Sequence, residues 1–210
     1  MAELSRLSRD EQLAFYAGRA RLNYSQGRYE AALADSEKAI TLDYSAEMSL
    51  LGIESLHLAG RHREARSTGS ALLSTFREDV DDAKLKAEFF KTMARVHVAL
   101  GEDRKVAAYC DESLGVNPGQ PDVLYLRAVA AMRLKDYETA EANFLMTIEQ
   151  SDVVPPALWS DLGRLYGSMR KYEEGTRALQ KSLETYPYDA GTKRALRDQY
   201  VKSKRKKRGK

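Results

Sequence analysis

Residues able to do chemistry are few in this chain. His57, His62 and His97 are its only histidines and Cys110 its only cysteine. A structural or catalytic zinc needs three or four nitrogen, sulfur or carboxylate ligands, marked by H-E-x-x-H or clustered Cys/His spacing. Neither pattern occurs. Glu78, Asp79, Asp81 and Asp82 crowd one short segment, but they lack the spacing and central glycine of a calcium loop. Phosphate-cradling glycine loops and the G-x-S-x-G nucleophile elbow are also absent. The sequence therefore assigns no catalytic residue, cofactor or metal ligand, and the expectation is a non-catalytic protein. Cys110 lies on an apolar helical stripe and reads as a small buried hydrophobe, and His97 reads as a structural histidine.

The other concentrated chemistry is charge. Lys202, Lys204, Arg205, Lys206, Lys207, Arg208 and Lys210 place seven cations in the last nine residues. The whole chain carries +3, so the seven tail cations leave residues 1–201 at −4. Lys204–Arg208 fits a short nuclear-import signal, and the run could also touch nucleic acid or an anionic lipid surface through charge. The run itself contains no aromatic residue on which a base could stack. The alternative is a solvated, disordered end over 202–210 that aids solubility. The polar start of the chain, no apolar run long enough for a membrane span, and a lone cysteine point to a cytosolic or nuclear protein.

The elements that position these residues repeat. Turn residues fall at Gly27, Gly60, Gly101, Lys135 and Arg170, in steps of 33, 41, 34 and 35 residues. A tyrosine follows three of these turns, at Tyr29, Tyr137 and Tyr172. Three residues further on stand Ala32, Ala65, Val106, Ala140 and Gly175, where two helices would approach most closely. Small side chains suit that point, so Val106 predicts a slight splay in the third unit. Apolar residues between turns recur every three or four positions, which predicts helix and not strand. With 43% hydrophobic residues, the chain can build a sizeable core.

The 41-residue step marks an insertion of about seven residues, roughly two helical turns, within Ser74–Lys86. It predicts a longer helix beside that joint, with Asp81 or Asp82 as the N-cap of the helix carrying Phe89 and Phe90.

Trp159, Leu162, Gly163 and Tyr166 spell W-x2-L-G-x2-Y, followed by Tyr172 and closed by Pro187. With these residues the chain resembles the tetratricopeptide-repeat family, whose unit is a helix–turn–helix of about 34 residues. The resemblance spans residues 11–187 as five repeats, after a lead-in at 1–10. A polar capping helix is expected at 188–201, with Ala195, Leu196 and Tyr200 facing inward and a basic tail beyond it. It implies an all-α, right-handed superhelical solenoid whose first helices line a concave groove.

Carried over position by position, the groove would show Arg21, Tyr24, Leu50, Glu54, His57, Glu88, Lys91, Arg95, Tyr125, Met132 and Arg164. This mixture suits an extended or helical peptide with apolar anchors. The resemblance implies a protein–protein interaction module, an adaptor or scaffold within a larger assembly. The Lys/Asn set that holds acidic heat-shock-protein tails in some members is missing in every register.

The last unit, its cap and Lys202–Lys206 also resemble the junction before the J-domain in co-chaperones that carry these repeats. That would imply a holder of non-native clients or a chaperone partner. No His-Pro-Asp motif is present to stimulate a chaperone ATPase. A nucleic-acid-associated factor using the tail is the remaining alternative, and an import receptor or anionic surface would be its partner.

Overall fold

The computed structural model describes residues 6–208, with side chains through Arg205. Lys210, and the side chains of Lys206, Lys207 and Arg208, lie outside the described residues. Among those described there are helices and turns but no strand. The chain divides into two compact units, Met1–Pro118 and Gly119–Lys210. The first holds α1 (Arg9–Ser25), α2 (Tyr29–Leu42), α3 (Ala46–Leu58), α4 (His62–Ala71), α5 (Leu73–Glu78), α6 (Ala83–Leu100) and α7 (Asp103–Val116). The second holds α8 (Pro121–Arg133), α9 (Tyr137–Gln150), α10 (Pro156–Ser168), α11 (Tyr172–Thr185) and α12 (Ala190–Arg208).

The helical hairpins are α1/α2, α3/α4, α6/α7, α8/α9 and α10/α11. Each turn passes through the left-handed region at the position set by the repeat: Gly27, Gly60, Gly101, Lys135 and Arg170. Each closes in the same way. The N–H of Arg28 donates to the Asn23 carbonyl, and Arg61–Leu56, Glu102–His97, Asp136–Ala131 and Lys171–Tyr166 repeat that bond at 2.8 to 3.0 Å. This closure satisfies carbonyls that a helix end would otherwise leave bare. The first helix starts on a reciprocal cap, in which Ser8 Oγ accepts from the Glu11 N–H while Glu11 accepts from the Ser8 N–H.

Ala32, Ala65, Ala140 and Gly175 are buried where their hairpins close. Val106 is buried too, and the predicted splay is not seen: α6 packs on α7 as extensively as α1 on α2.

The insertion resolves in two ways. The second helix of that hairpin stops at Ala71, and Leu72 turns the chain into the separate short α5. Gly69 lets α4 lie close on α6, since a Cβ there would stand 2.1 Å from Met93 Sδ. Phe76 of α5 then stacks on Phe89, with ring centroids 3.9 Å apart. The remaining residues lengthen α6, which starts at Asp82: its carboxylate accepts from the Lys84 and Leu85 N–H groups at 2.8 and 3.0 Å.

The C-terminal cap differs from expectation. Ala195 and Leu196 are half-buried, but Tyr200 is 54% exposed. Polar residues dock α12 instead. Thr192 lies 2.7 Å from Ser160 Oγ, and the Gln199 amide, 5% exposed, donates to the Gly163 carbonyl at 2.6 Å. Gly167 and Gly175 form the notch that admits it: a Cβ on Gly175 would come within 1.9 Å of Gln199 Oε1, and one on Gly167 within 2.6 Å of its Nε2. Seating Gln199 fixes the helix rotation and turns Tyr200, one residue on, outward.

The end expected to be disordered beyond Val201 is helical through Arg208. Lysine and arginine are good helix formers, no glycine or proline intervenes before Gly209, and cations suit a helix C-terminus.

Candidate functional site

The predicted groove residues fall into two sets. In the first unit α3 packs against both α1 and α6 and brings most of theirs together. Tyr24 of α1 hydrogen-bonds Glu54 of α3, which also accepts from Thr92 Oγ1 of α6 at 3.2 Å. Glu54 is largely enclosed, so burial raises its carboxyl above the ordinary range. The bonds from Tyr24 and Thr92 oppose that rise, and the negative charge of Glu88 adds to it. Burial likewise lifts the Tyr24 phenol to about 12, helped by the neighbouring Glu54 charge.

His57 stands one turn beyond Glu54 on α3, and its ring lies 5.0 Å from that of His62 at the start of α4. The Nδ1 atoms of both rings are buried without a hydrogen-bond partner in the protein. Burial lowers the pKa of His57, and the charges of His62 and Arg95 lower it further. The face therefore holds an enclosed carboxyl, an enclosed phenol and the exposed Arg95. Such groups can exchange hydrogen bonds with a ligand in either direction.

The rim is formed by ion pairs. Arg21 meets Glu47 at 3.0 Å with both ends exposed, and Lys91 meets Glu88 at 2.5 Å. Leu50 departs from expectation: at 6% exposure it is core and not a partner contact. Its helix, α3, packs against α1, α2, α4 and α6, and little of its apolar surface reaches water.

In the second unit Tyr125 of α8 donates to Asp161 of α10 at 2.7 Å, and Arg164 stands 3.8 Å from the same carboxylate. Burial and the Asp161 bond push the Tyr125 phenol upward. Met132 is half-buried against the core of Phe144, Leu158, Leu162 and Leu165.

Sequence reasoning missed Thr92, His62 and Asp161. Thr92 and Asp161 sit one residue from first-helix positions that the repeat assigns to the groove, and His62 opens the second helix of its hairpin, so only packing shows which side chains meet. His97 is buried with Nδ1 2.5 Å from Glu102 Oε2, and Cys110 is buried. Among the described residues no group of three or more metal-ligating side chains gathers, and no helix is long and apolar enough to cross a membrane.

Residues 13–45 match the tetratricopeptide-repeat family profile. The fold is that of tetratricopeptide-repeat proteins. YrrB, described as having an unusual peptide-binding site, superposes with a TM-score of 0.72 at 20% identity, over 87% of this chain and 90% of its own. MamA does so at 0.71 and 14% identity, over 86% of this chain and 95% of its own. A tetratricopeptide-repeat protein from Parabacteroides merdae matches at 0.72 and 17% identity, over 94% and 76%. No curated protein matches the sequence. The profile match over residues 13–45 and these neighbours agree with the helical repeat read from the sequence: the fold is that of tetratricopeptide-repeat proteins.

Proposed function

We infer that the chain is a non-catalytic adaptor that holds a segment of a partner protein on the α1/α3/α6 face of its first unit. The observation that supports this is the convergence of Tyr24, Glu54 and Thr92 from α1, α3 and α6 into one hydrogen-bonded network, with the exposed Arg95 on the same face. Tyr24 and Arg95 are of the types that dominate binding energy at interfaces. YrrB, which shares the fold, is described as a peptide binder, and an extended or helical segment with apolar anchors suits this chain's mixture of charge and half-buried carbon.

The test is capture of partners from extract by the full chain, by Lys91→Glu with Arg95→Glu, and by Glu37→Lys on the exposed side of α2. The reading expects a small, salt-resistant set that survives Glu37→Lys and is lost with the double change. A set indifferent to the double change, in a variant whose helix content and melting match the parent, contradicts it.

A further inference from the structure

A second surface, in the other unit, carries different chemistry. Two open concavities lie along the junction of α11 and α12, about 320 and 280 Å³ in volume. One is lined by Arg177, Ser203 and Lys204 with Glu173, the other by Gln180, Lys193, Leu196 and Arg197, and Thr176 and Tyr200 belong to both. The Tyr200 ring thus stands between two basic hollows, with four cations around it against the single acid Glu173. Lys204 Nζ sits 5.4 Å from the centre of the Tyr200 ring. Lys193 Nζ similarly sits 5.9 Å from that of Tyr188, which is 81% exposed.

We propose that this Tyr200-centred surface is a binding site for single-stranded nucleic acid, with a base stacked on Tyr200 and flanking phosphates held by Lys193, Arg197, Arg177 and Lys204. Sequence-tolerant single-strand sites combine these two parts, a cationic track for the backbone and exposed aromatic faces for the bases. The occupant is a long polyanion because the site does not end at Lys204: α12 carries the helix on through Arg208, so the cations that follow in sequence continue on the same element. A single small anion would leave most of that charge unused. An acidic peptide would satisfy the cations but gives no reason for two exposed tyrosines each set beside a lysine. Carrying Lys202 through Arg208 on one helix also spaces these positions at about 1.5 Å rise per residue.

The test uses the full chain and fluorescence anisotropy with a labelled oligo-dT of about twelve nucleotides, within the length one such site covers. Four or five engaged phosphates predict a slope of log affinity against log salt of about −3, or roughly 60-fold weaker binding between about 50 and 200 mM salt. Tyr200→Ala, at an exposed position, is expected to weaken binding about tenfold while leaving that slope unchanged. Arg197→Glu with Lys204→Glu is expected to flatten it. Polyglutamate of matched charge should compete poorly, and vesicles of phosphatidylserine in phosphatidylcholine should not displace the oligonucleotide. Binding that ignores Tyr200→Ala overturns the proposal and reduces the surface to charge alone. Equal competition by polyglutamate overturns it in favour of an acidic protein, and displacement by vesicles in favour of a membrane. Melting of each variant separates loss of binding from loss of fold.

Discussion

The two units are made from the same hairpin yet differ in the kind of polar residue they enclose. The first buries titratable ones: Asp35, only 3% exposed, takes a bidentate guanidinium from Arg19 at 2.6 and 2.7 Å and the Asn23 amide at 3.0 Å, and His97 is buried as well. The second packs Phe144, Leu158, Leu162 and Leu165 with neutral polar residues such as Asn143, Ser160 and Gln199, and carries tyrosines and cations on its outer surface. A shared backbone thus sets where side chains point, while the residues chosen there set whether a unit offers enclosed titratable groups or exposed charge and aromatic rings.

That contrast can be broken most forcefully at Asp35. Arg19→Met removes the guanidinium and leaves a buried carboxylate with the Asn23 amide. A loss of about 3 kcal/mol is expected in denaturant unfolding, at the low end for a buried pair because Arg19 is itself partly exposed. In the second unit the corresponding weak point is steric. Gly175→Ala drives a Cβ into Gln199 and to 2.9 Å from the Gly163 carbonyl, and should cost about 2 kcal/mol by overpacking. Adding Gln199→Ala should return part of that, which a double-mutant cycle in thermal melting would detect.

The enclosed groups make the first unit sensitive to pH. His57 has a folded pKa below its ordinary 6.5, so the unfolded chain binds the extra proton first. Stability from this group is complete above about pH 6.5 and is lost as pH falls through that value toward the folded pKa. Glu54 acts in the opposite sense: its folded pKa is raised, so stability declines as pH rises from 4.5 through the folded value. His57→Gln should lessen the fall of melting temperature below pH 6.5, leaving the part due to His97, whose pKa burial also lowers, and the Glu54 limb in place. An unchanged profile would show that His57 is not the group responsible.

The smallest effect lies in the turns. The first unit uses glycine at each left-handed turn, and the second uses Lys135 and Arg170. A left-handed conformation costs a non-glycine residue about 1–2 kcal/mol, partly offset by glycine's greater freedom when unfolded. Lys135→Gly and Arg170→Gly should each stabilise by about 0.5–1 kcal/mol, whereas Gly27→Ala should destabilise by about 1 kcal/mol. Melting temperatures of the three variants decide the point.

These turns were the most legible part of the sequence. The repeat phase located all five, including two where no glycine marks them, because a helical hairpin of fixed length has one place to reverse. The Asp82 cap was legible for a similar reason, being local. The break at Leu72 was not, since Gly69 and Met93 decide it across two helices. Nor was the seat of Gln199, which depends on two glycines brought together from α10 and α11. At the candidate face, register alone gave Tyr24, Glu54, His57 and Arg95. It could not give Thr92 or His62 as their partners, or show that Leu50 is covered, because those outcomes depend on neighbouring helices and not on spacing within one.

The central claim is that the α1/α3/α6 face receives the partner. Site-specific photo-crosslinking tests it most directly, with benzoylphenylalanine placed in turn at Arg21, exposed on that face, and at Glu37, exposed on α2. The account predicts a discrete crosslinked partner from position 21 that disappears with Lys91→Glu and Arg95→Glu, and none from position 37. The same partner crosslinked from position 37 and not from 21 would contradict it.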